Sequence, residues 1–213
     1  MKIALTALTA AAWLIASTAH AAQPPLCKPD ISSWPSNYHT DPECRYHFTS
    51  PASDLAVDFD FEGRYVLVDH GDAIYLGVQG SPSQFSWAPG GRYFYINDEL
   101  GDGLDSELHL FDLGGGGVVD KLTIRRDLHR LYAARTRCRI KDAEPTTWGL
   151  GWSKDATQLY VLLQALPEAY CLQDSDFYVA TVALPSGKIV AFDPAPAARR
   201  KFRAMLPQNM LKP

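Results

Sequence analysis

One stretch of this chain is crowded with carboxylates. Residues 97–107 read NDELGDGLDSE and carry Asp98, Glu99, Asp102, Asp105 and Glu107 within ten positions. Oxygen ligands at that density suit Ca²⁺, so these five are the candidate metal ligands. The spacing departs from the EF-hand loop, which sets acids at alternate positions ahead of a glycine and a distant glutamate. Two other readings stand beside calcium. One is a solvated loop joining two strands. The other is an acidic contact surface, made of Asp98, Glu99, Asp102 and Asp105, for a basic partner. No cofactor is expected, with calcium the open alternative.

The remaining polar groups form no familiar catalytic set. His39, Cys44 and His47 lie close together, but no C-x-x-C pair accompanies them, which argues against zinc. His39 with Asp41 would make an acid–base pair, yet Pro42 and Cys44 place it in a loop beside a disulfide. His70-Gly71-Asp72 reads as a turn. No G-x-S-x-G or H-E-x-x-H motif occurs, and Ser153 is an ordinary turn serine. Gly114 to Gly117 lacks the Lys-Ser/Thr of a phosphate loop and runs into Val118-Val119, so it too is a turn. No catalytic residue is expected, and the chain reads as a non-enzyme.

Composition limits the partners. The 213 residues include 20 Lys and Arg against 24 Asp and Glu, a net charge of −4, which disfavours nucleic acid. With 46% hydrophobic and 21% charged residues the chain is not disordered. Fifteen Gly, fifteen Pro and 11% aromatics favour β structure rich in turns. Lys2, the apolar run Ile3–Ala16 and the small-x-small Ala19-His20-Ala21 read as a secretory signal peptide over residues 1–21. The run has about 14 residues, short of the roughly 20 that span a bilayer. Losing Lys2 moves the net charge to −5. Cys27 follows Pro24-Pro25-Leu26 rather than small residues, so lipidation is not expected, and no Asn-x-Ser/Thr sequon occurs. The periplasm of a Gram-negative bacterium, or secretion, is the expected location. Four cysteines in an oxidising compartment suggest two disulfides. Of three connectivities, Cys27–Cys44 and Cys138–Cys171 is favoured, because each closes its own loop, of 17 and 33 residues. Each would contribute roughly 3–4 kcal/mol in the chain-entropy model.

The elements that must carry these residues repeat. Residues 59–69 (FDFEGRYVLVD), 87–97 (WAPGGRYFYIN) and 152–162 (WSKDATQLYVL) align without gaps. Their anchors Phe59, Trp87 and Trp152 stand 28 and 65 residues apart. A second strand-like run follows each, at 73–78, 107–113 and 176–184. The last two units turn at Gly114–Gly117 and at Pro185-Ser186-Gly187, then continue as strands over 118–124 and 188–192. The first unit is the weakest and lacks a fourth strand. Tyr93 and Tyr95 face one way and Phe94 and Ile96 the other, so the strand is apolar on both faces, as between two sheets. Residues 159–163 behave alike.

This pattern resembles the WD40-like repeat of TolB-type and prolyl-oligopeptidase-type β-propellers. That unit reads roughly F-S-P-D-G, a strand, a loop, and a strand ending D-L-x-x-G. Residues 85–96 and 108–116 reproduce most of one unit. Residues 150–162 and 183–190 reproduce another, with Ala156 where Gly is usual, and residues 57–68 a weaker third. The resemblance implies a mainly β fold of four-stranded blades in a small or partial propeller. Phe59, Trp87 and Trp152 would be wedges between blades. A β-sandwich of the same strands is the alternative. Three units are few for a closed ring. A fourth would come from residues 30–55, or the array stays open, or a homodimer completes it.

Two segments break the β pattern. Residues 127–135 place Leu128, Leu131 and Tyr132 at helical spacing, with Asp127 as N-cap. Residues 196–206 place Phe202, Met205 and Leu206 on one face and Arg199, Arg200, Lys201 and Arg203 elsewhere, and Pro207 stops the helix. That tail reads as a capping helix, with docking on anionic lipid or an acidic partner as the alternative. The organisation expected is a signal peptide (1–21), a disulfide-bearing segment (22–54), a WD40-like repeat domain (55–193) and a basic C-terminal helix and tail (194–213). The function expected is an exported, non-catalytic module that binds another exported protein. Its sharpest form is an inhibitor or immunity protein that neutralises an exported toxin or hydrolase. The alternatives are a periplasmic hydrolase using loop histidines and carboxylates, or an envelope assembly factor, as the TolB resemblance implies.

Overall fold

The computed structural model describes residues 26–27, 30–31, 38–39, 44–60, 63–79, 83–100, 105–114, 119–136, 145–165 and 177–212. The chain is mainly β. Strands β3 (Tyr46–Thr49), β4 (Ala56–Phe59), β5 (Arg64–Asp69) and β6 (Asp72–Gln79) form an antiparallel first sheet in chain order. Strands β7 (Ser83–Trp87), β8 (Tyr93–Leu100), β9 (Asp105–Asp112) and β10 (Val119–Asp120) form the second. The short strands β1 (Asp30–Ile31) and β2 (Tyr38–His39) extend that sheet beyond β7. After helix α1 (Leu122–Thr136), strands β11 (Thr146–Trp152), β12 (Gln158–Gln164), β13 (Phe177–Ala183) and β14 (Lys188–Pro194) make a third meander. Helix α2 (Ala195–Lys201) and a 3-10 turn (Gln208–Leu211) end the chain. Among the described residues no sheet closes on itself. The described residues of segment 30–55 supply no fourth unit: β1 and β2 join the second sheet and β3 the first.

The sheets stack face to face because their middle strands are apolar on both sides. Phe94, Ile96 and Phe111 of the second sheet pack with Phe48, Phe59, Tyr65 and Leu67 of the first. The other face of the second sheet sends Tyr93, Tyr95, Leu108 and Leu110 against Leu159, Val161 and Leu163 of the third. The outer face of the third sheet is sealed by Ala195, Ala198, Phe202 and Leu206, which meet Leu150, Leu162 and Val179. Burial on this scale stabilises by roughly 25 cal/mol per Å² of apolar surface. Trp87 Nε1 donates to the Phe48 carbonyl at 2.9 Å, and Trp152 Nε1 to Ser86 Oγ at 3.1 Å. Each tryptophan thus reaches from its own sheet into the preceding one.

The three aligned segments share one turn. The amides of Gly63, Gly91 and Ala156 donate to the carbonyls of Asp60, Ala88 and Ser153, three residues back. All three sit at positive φ: 72°, 67° and 56°. Ala156 therefore holds a left-handed conformation that favours glycine. The D-L-x-x-G motif has a physical role as well. Asp112 accepts from Arg92 Nε at 2.9 Å and from the Gly114 amide at 2.8 Å, with Lys121 Nζ 3.2 Å away. A side chain at Gly114 would strike the Arg92 guanidinium, 2.4 Å from an ideal Cβ.

Several elements differ from expectation. The strand expected over 118–124 is only the two residues of β10, and α1 begins at Leu122. Ile124, Leu128 and Tyr132 form one buried stripe at four-residue spacing, so packing overrides the β preference of Thr123 and Ile124. Asp127 lies inside the helix, beside Arg130, and is not its N-cap. The C-terminal helix stops at Lys201, and Phe202 and Leu206 reach the core through the turn that follows. The acidic stretch is not one solvated loop: β8 runs to Leu100, β9 starts at Asp105, and Asp98 is buried. Cys27 and Cys44 are bonded, with Cα atoms 5.5 Å apart. Cys138 and Cys171 lie outside the described residues.

Ala156→Gly should raise stability by about 0.5–1 kcal/mol in urea unfolding, by relieving the left-handed alanine. Trp87→Ala and Trp152→Ala should each cost about 3–5 kcal/mol. A loss under about 1 kcal/mol would show that the tryptophans do not wedge the sheets.

Candidate functional site

The first sheet presents a polar pair on its outer face. Along β3, Tyr46 and Phe48 point into the core, which leaves His47 and Thr49 outward. Along β4, Val57 and Phe59 point inward and Asp58 outward. The register sets His47 directly opposite Asp58, and Nδ1 lies 2.6 Å from Oδ1. Both side chains are nearly half exposed, at 48% and 42%. The same cross-strand row continues through Val66 on β5 to Tyr75 on β6.

The disulfide shapes one end of this face. Cys27–Cys44 holds Leu26 in a parallel bridge to Arg45, with the Cys27 amide donating to the Arg45 carbonyl at 2.9 Å. A cleft of about 280 Å³ results, lined by Leu26, Arg45, His47, Asp58, Asp60 and the flanks of Tyr46 and Phe59. Asp60 accepts from the Arg64 amide at 3.0 Å and from Arg64 Nε at 2.9 Å. A histidine whose Nδ1 is turned onto a carboxylate presents Nε2 as an oriented acceptor or base. The cleft therefore offers one fixed imidazole nitrogen, carboxylates and an apolar lip, Leu26, which is 65% exposed.

The structure distributes the sequence candidates as follows. Asp98 and Glu107 are direct cross-strand partners on β8 and β9. Glu107 is paired with Arg125 of α1, and His109 Nε2 lies 3.9 Å from Glu107 Oε2. Asp98 is 5% exposed, and its Oδ1 finds no hydrogen-bond partner among the described residues. Burial pushes its carboxyl above the usual carboxylate range, against the opposing pull of His109. On the same hairpin Glu99 pairs with Ser106 and Asp105 with Leu100, and Asp102 lies outside the described residues. Among the described residues no three His, Cys, Asp or Glu groups converge to hold a metal. Cys44 is oxidised and takes no part in a His39–Cys44–His47 metal set. Asp41 lies outside the described residues. His70-Gly71 is the two-residue turn of the β5–β6 hairpin, both residues at positive φ. Ser153 Oγ is held by Asp155 at 2.6 Å within its turn.

No protein-family model, curated protein or solved structure matches the chain. The likeness to TolB-type repeats therefore stands on the residues quoted for it.

Sequence reasoning did not find the His47–Asp58 pair. The available signal was the alternation of YHFT and AVDF, each with its polar residue facing out. It did not find Asn97 either. Fully buried, Asn97 donates from Nδ2 to the Gly149 carbonyl at 3.1 Å and accepts the Gly149 amide on Oδ1 at 2.7 Å, across two sheets.

Two carboxylates set opposite pH slopes. Burial would raise Asp112, but hydrogen bonds from Arg92, Gly114 and Lys121 outweigh it and hold the group down at about 2. Its stabilisation is complete above the unfolded value and is lost as pH falls toward about 2. Asp98 is raised, so stability falls as pH climbs from about 4 through its folded value. Asp98→Asn should flatten the fall in stability above about pH 4 in denaturant unfolding and leave the acid limb intact. An unchanged slope would contradict the burial argument.

Proposed function

We propose that this chain is an exported, non-catalytic module that binds another protein through the outer face of its first sheet. The observation that carries this reading is the inequality of the two ends of the stack. At the third sheet, α2 and the turn after it bury the outer face under Phe202 and Leu206. At the first sheet, the outer face carries partly exposed Val66 and Val68, Tyr75 at 52% exposure, and the His47–Asp58 pair beside a cleft. Apolar surface rimmed by polar groups on a rigid sheet is the usual form of a recognition face. The Cys27–Cys44 bond and the leader-like residues 1–21 support export. Within that class, an inhibitor or immunity protein for an exported toxin or hydrolase is the sharpest version.

A second reading has its own observation. His47 oriented by Asp58 in a cleft is also how a general base is held, and it supports a periplasmic hydrolase.

Mature protein from residue 22, immobilised and exposed to periplasmic extract, should retain one stoichiometric exported protein whose own activity falls on binding. Val66→Arg should abolish that retention while leaving the melting temperature within about 4 °C of wild type. Retention unaffected by Val66→Arg would move the binding face elsewhere. Turnover of a peptide or ester substrate that disappears in His47→Ala would replace the binding reading with the hydrolase one.

A further inference from the structure

Among the described residues, one strand position of the repeat is unfilled. In the second and third sheets the third strand of the unit is covered by a fourth, β10 on β9 and β14 on β13, both antiparallel. In the first sheet the additional strand, β3, lies on the opposite edge, against β4, and β6 ends the sheet. The chain leaves β6 at Gln79 and enters β7 at Ser83, so too little length remains for a strand between them. The consequence is visible in burial. Phe177, Val179, Ala180 and Val182 of β13 are at most 2% exposed, whereas Ile74 and Tyr75 of β6 are 45% and 52% exposed.

This edge also lacks the usual guards. Natural edges are blunted by shortness, lysine or proline. Strands β1 and β10 of the second sheet have two residues each, and β14 begins at Lys188 and ends at Pro194. β6 has eight residues, with Ala73-Ile74-Tyr75-Leu76 uncharged. Its one irregularity, a bulge opposite Arg64–Val66, leaves the run from Asp72 to Tyr75 in regular register with β5.

We propose that the β6 edge pairs antiparallel with the β6 edge of a second copy of this chain, about a two-fold axis at Ile74. The hydrogen-bond parity points to this register. The two-residue turn His70-Gly71 makes Asp69 and Asp72 a hydrogen-bonded pair, so Ala73 and Tyr75 direct their N–H and C=O away from β5. With Ile74 opposite Ile74 of the second copy, each Ala73 meets a Tyr75, and both carry outward-pointing groups. The same register sets each Asp72 opposite a Leu76 and keeps the two aspartates at opposite ends. A parallel pairing would bring them together. The repeat itself sets the precedent, since β10 and β14 pair antiparallel at the corresponding position. A two-fold contact is self-complementary and stops at two copies.

The test is the mass of mature protein from residue 22 by sedimentation equilibrium, between about 1 and about 300 µM, the range suited to an interface below standard size. The mass should double across this range. Ile74→Lys should keep it single, and so should Tyr75→Pro, which removes an outward N–H but none from the β5 ladder. Ile74→Cys should form an intermolecular disulfide on mild oxidation, while Val190→Cys, on exposed β14, should not. A single mass at every concentration would overturn the proposal. So would a dimer that survives both substitutions. A monomer whose β6 amides exchange slowly would assign the edge to another segment of the same chain, and would also overturn it.

Discussion

The fold depends on close contact between sheets that are apolar on both faces. Gly149 shows the constraint most sharply. An ideal Cβ there would lie 2.6 Å from the Tyr95 ring, so only a hydrogen at this position lets β11 lie on β8. The same glycine gives its amide and its carbonyl to Asn97, a buried side chain that also donates to Gln84 at 3.2 Å. A buried amide is costly unless satisfied, and here it is satisfied only when two sheets stand in one relation. With Trp152 on Ser86 and Trp87 on the Phe48 carbonyl, the stack has a fixed order and spacing. The helices then fill what the sheets leave. α1 sets Ile124, Leu128 and Tyr132 into the core between the second and third sheets, and α2 seals the third.

That order makes the two ends unlike. The first sheet takes its extra strand from the N-terminal side, and the Cys27–Cys44 bond fixes the segment beside that strand. The outer face and the β6 edge of this sheet are left to solvent among the described residues. The polar pair His47–Asp58 occurs on that face, where the inward neighbours Tyr46, Phe48, Val57 and Phe59 hold its backbone rigid. Recognition on such a surface needs no deep pocket, since a rigid sheet orders few groups when it binds.

Much of this was legible in the residues. The three turns were visible because glycine, or an alanine in its place, recurs four positions after each aromatic anchor, and the positive φ of Gly63, Gly91 and Ala156 gives the reason. The two-faced strands at 93–96 and 159–163 were visible from their unbroken apolar runs. What could not be read depends on pairing across distance. β3 is four residues long, too short for its alternation to fix a partner or a register, so neither its place beside β4 nor the His47–Asp58 contact follows from local pattern. The acidic stretch misled because strands and loops share its composition. Only the β8–β9 register shows Asp98 buried opposite Glu107. The start of α1 does not follow from local preference, because Thr123 and Ile124 favour strands, and only the burial of Ile124 in line with Leu128 and Tyr132 between two sheets makes the segment helical.

Site-specific photocrosslinking in the exported fraction of living cells tests the central claim most directly. A photoreactive residue at position 66, on the outer face of the first sheet, should give one discrete adduct with another protein. The same group at position 200, on the helix that seals the third sheet, should give none. An adduct from position 200 with none from position 66 would place recognition at the sealed end and contradict the account.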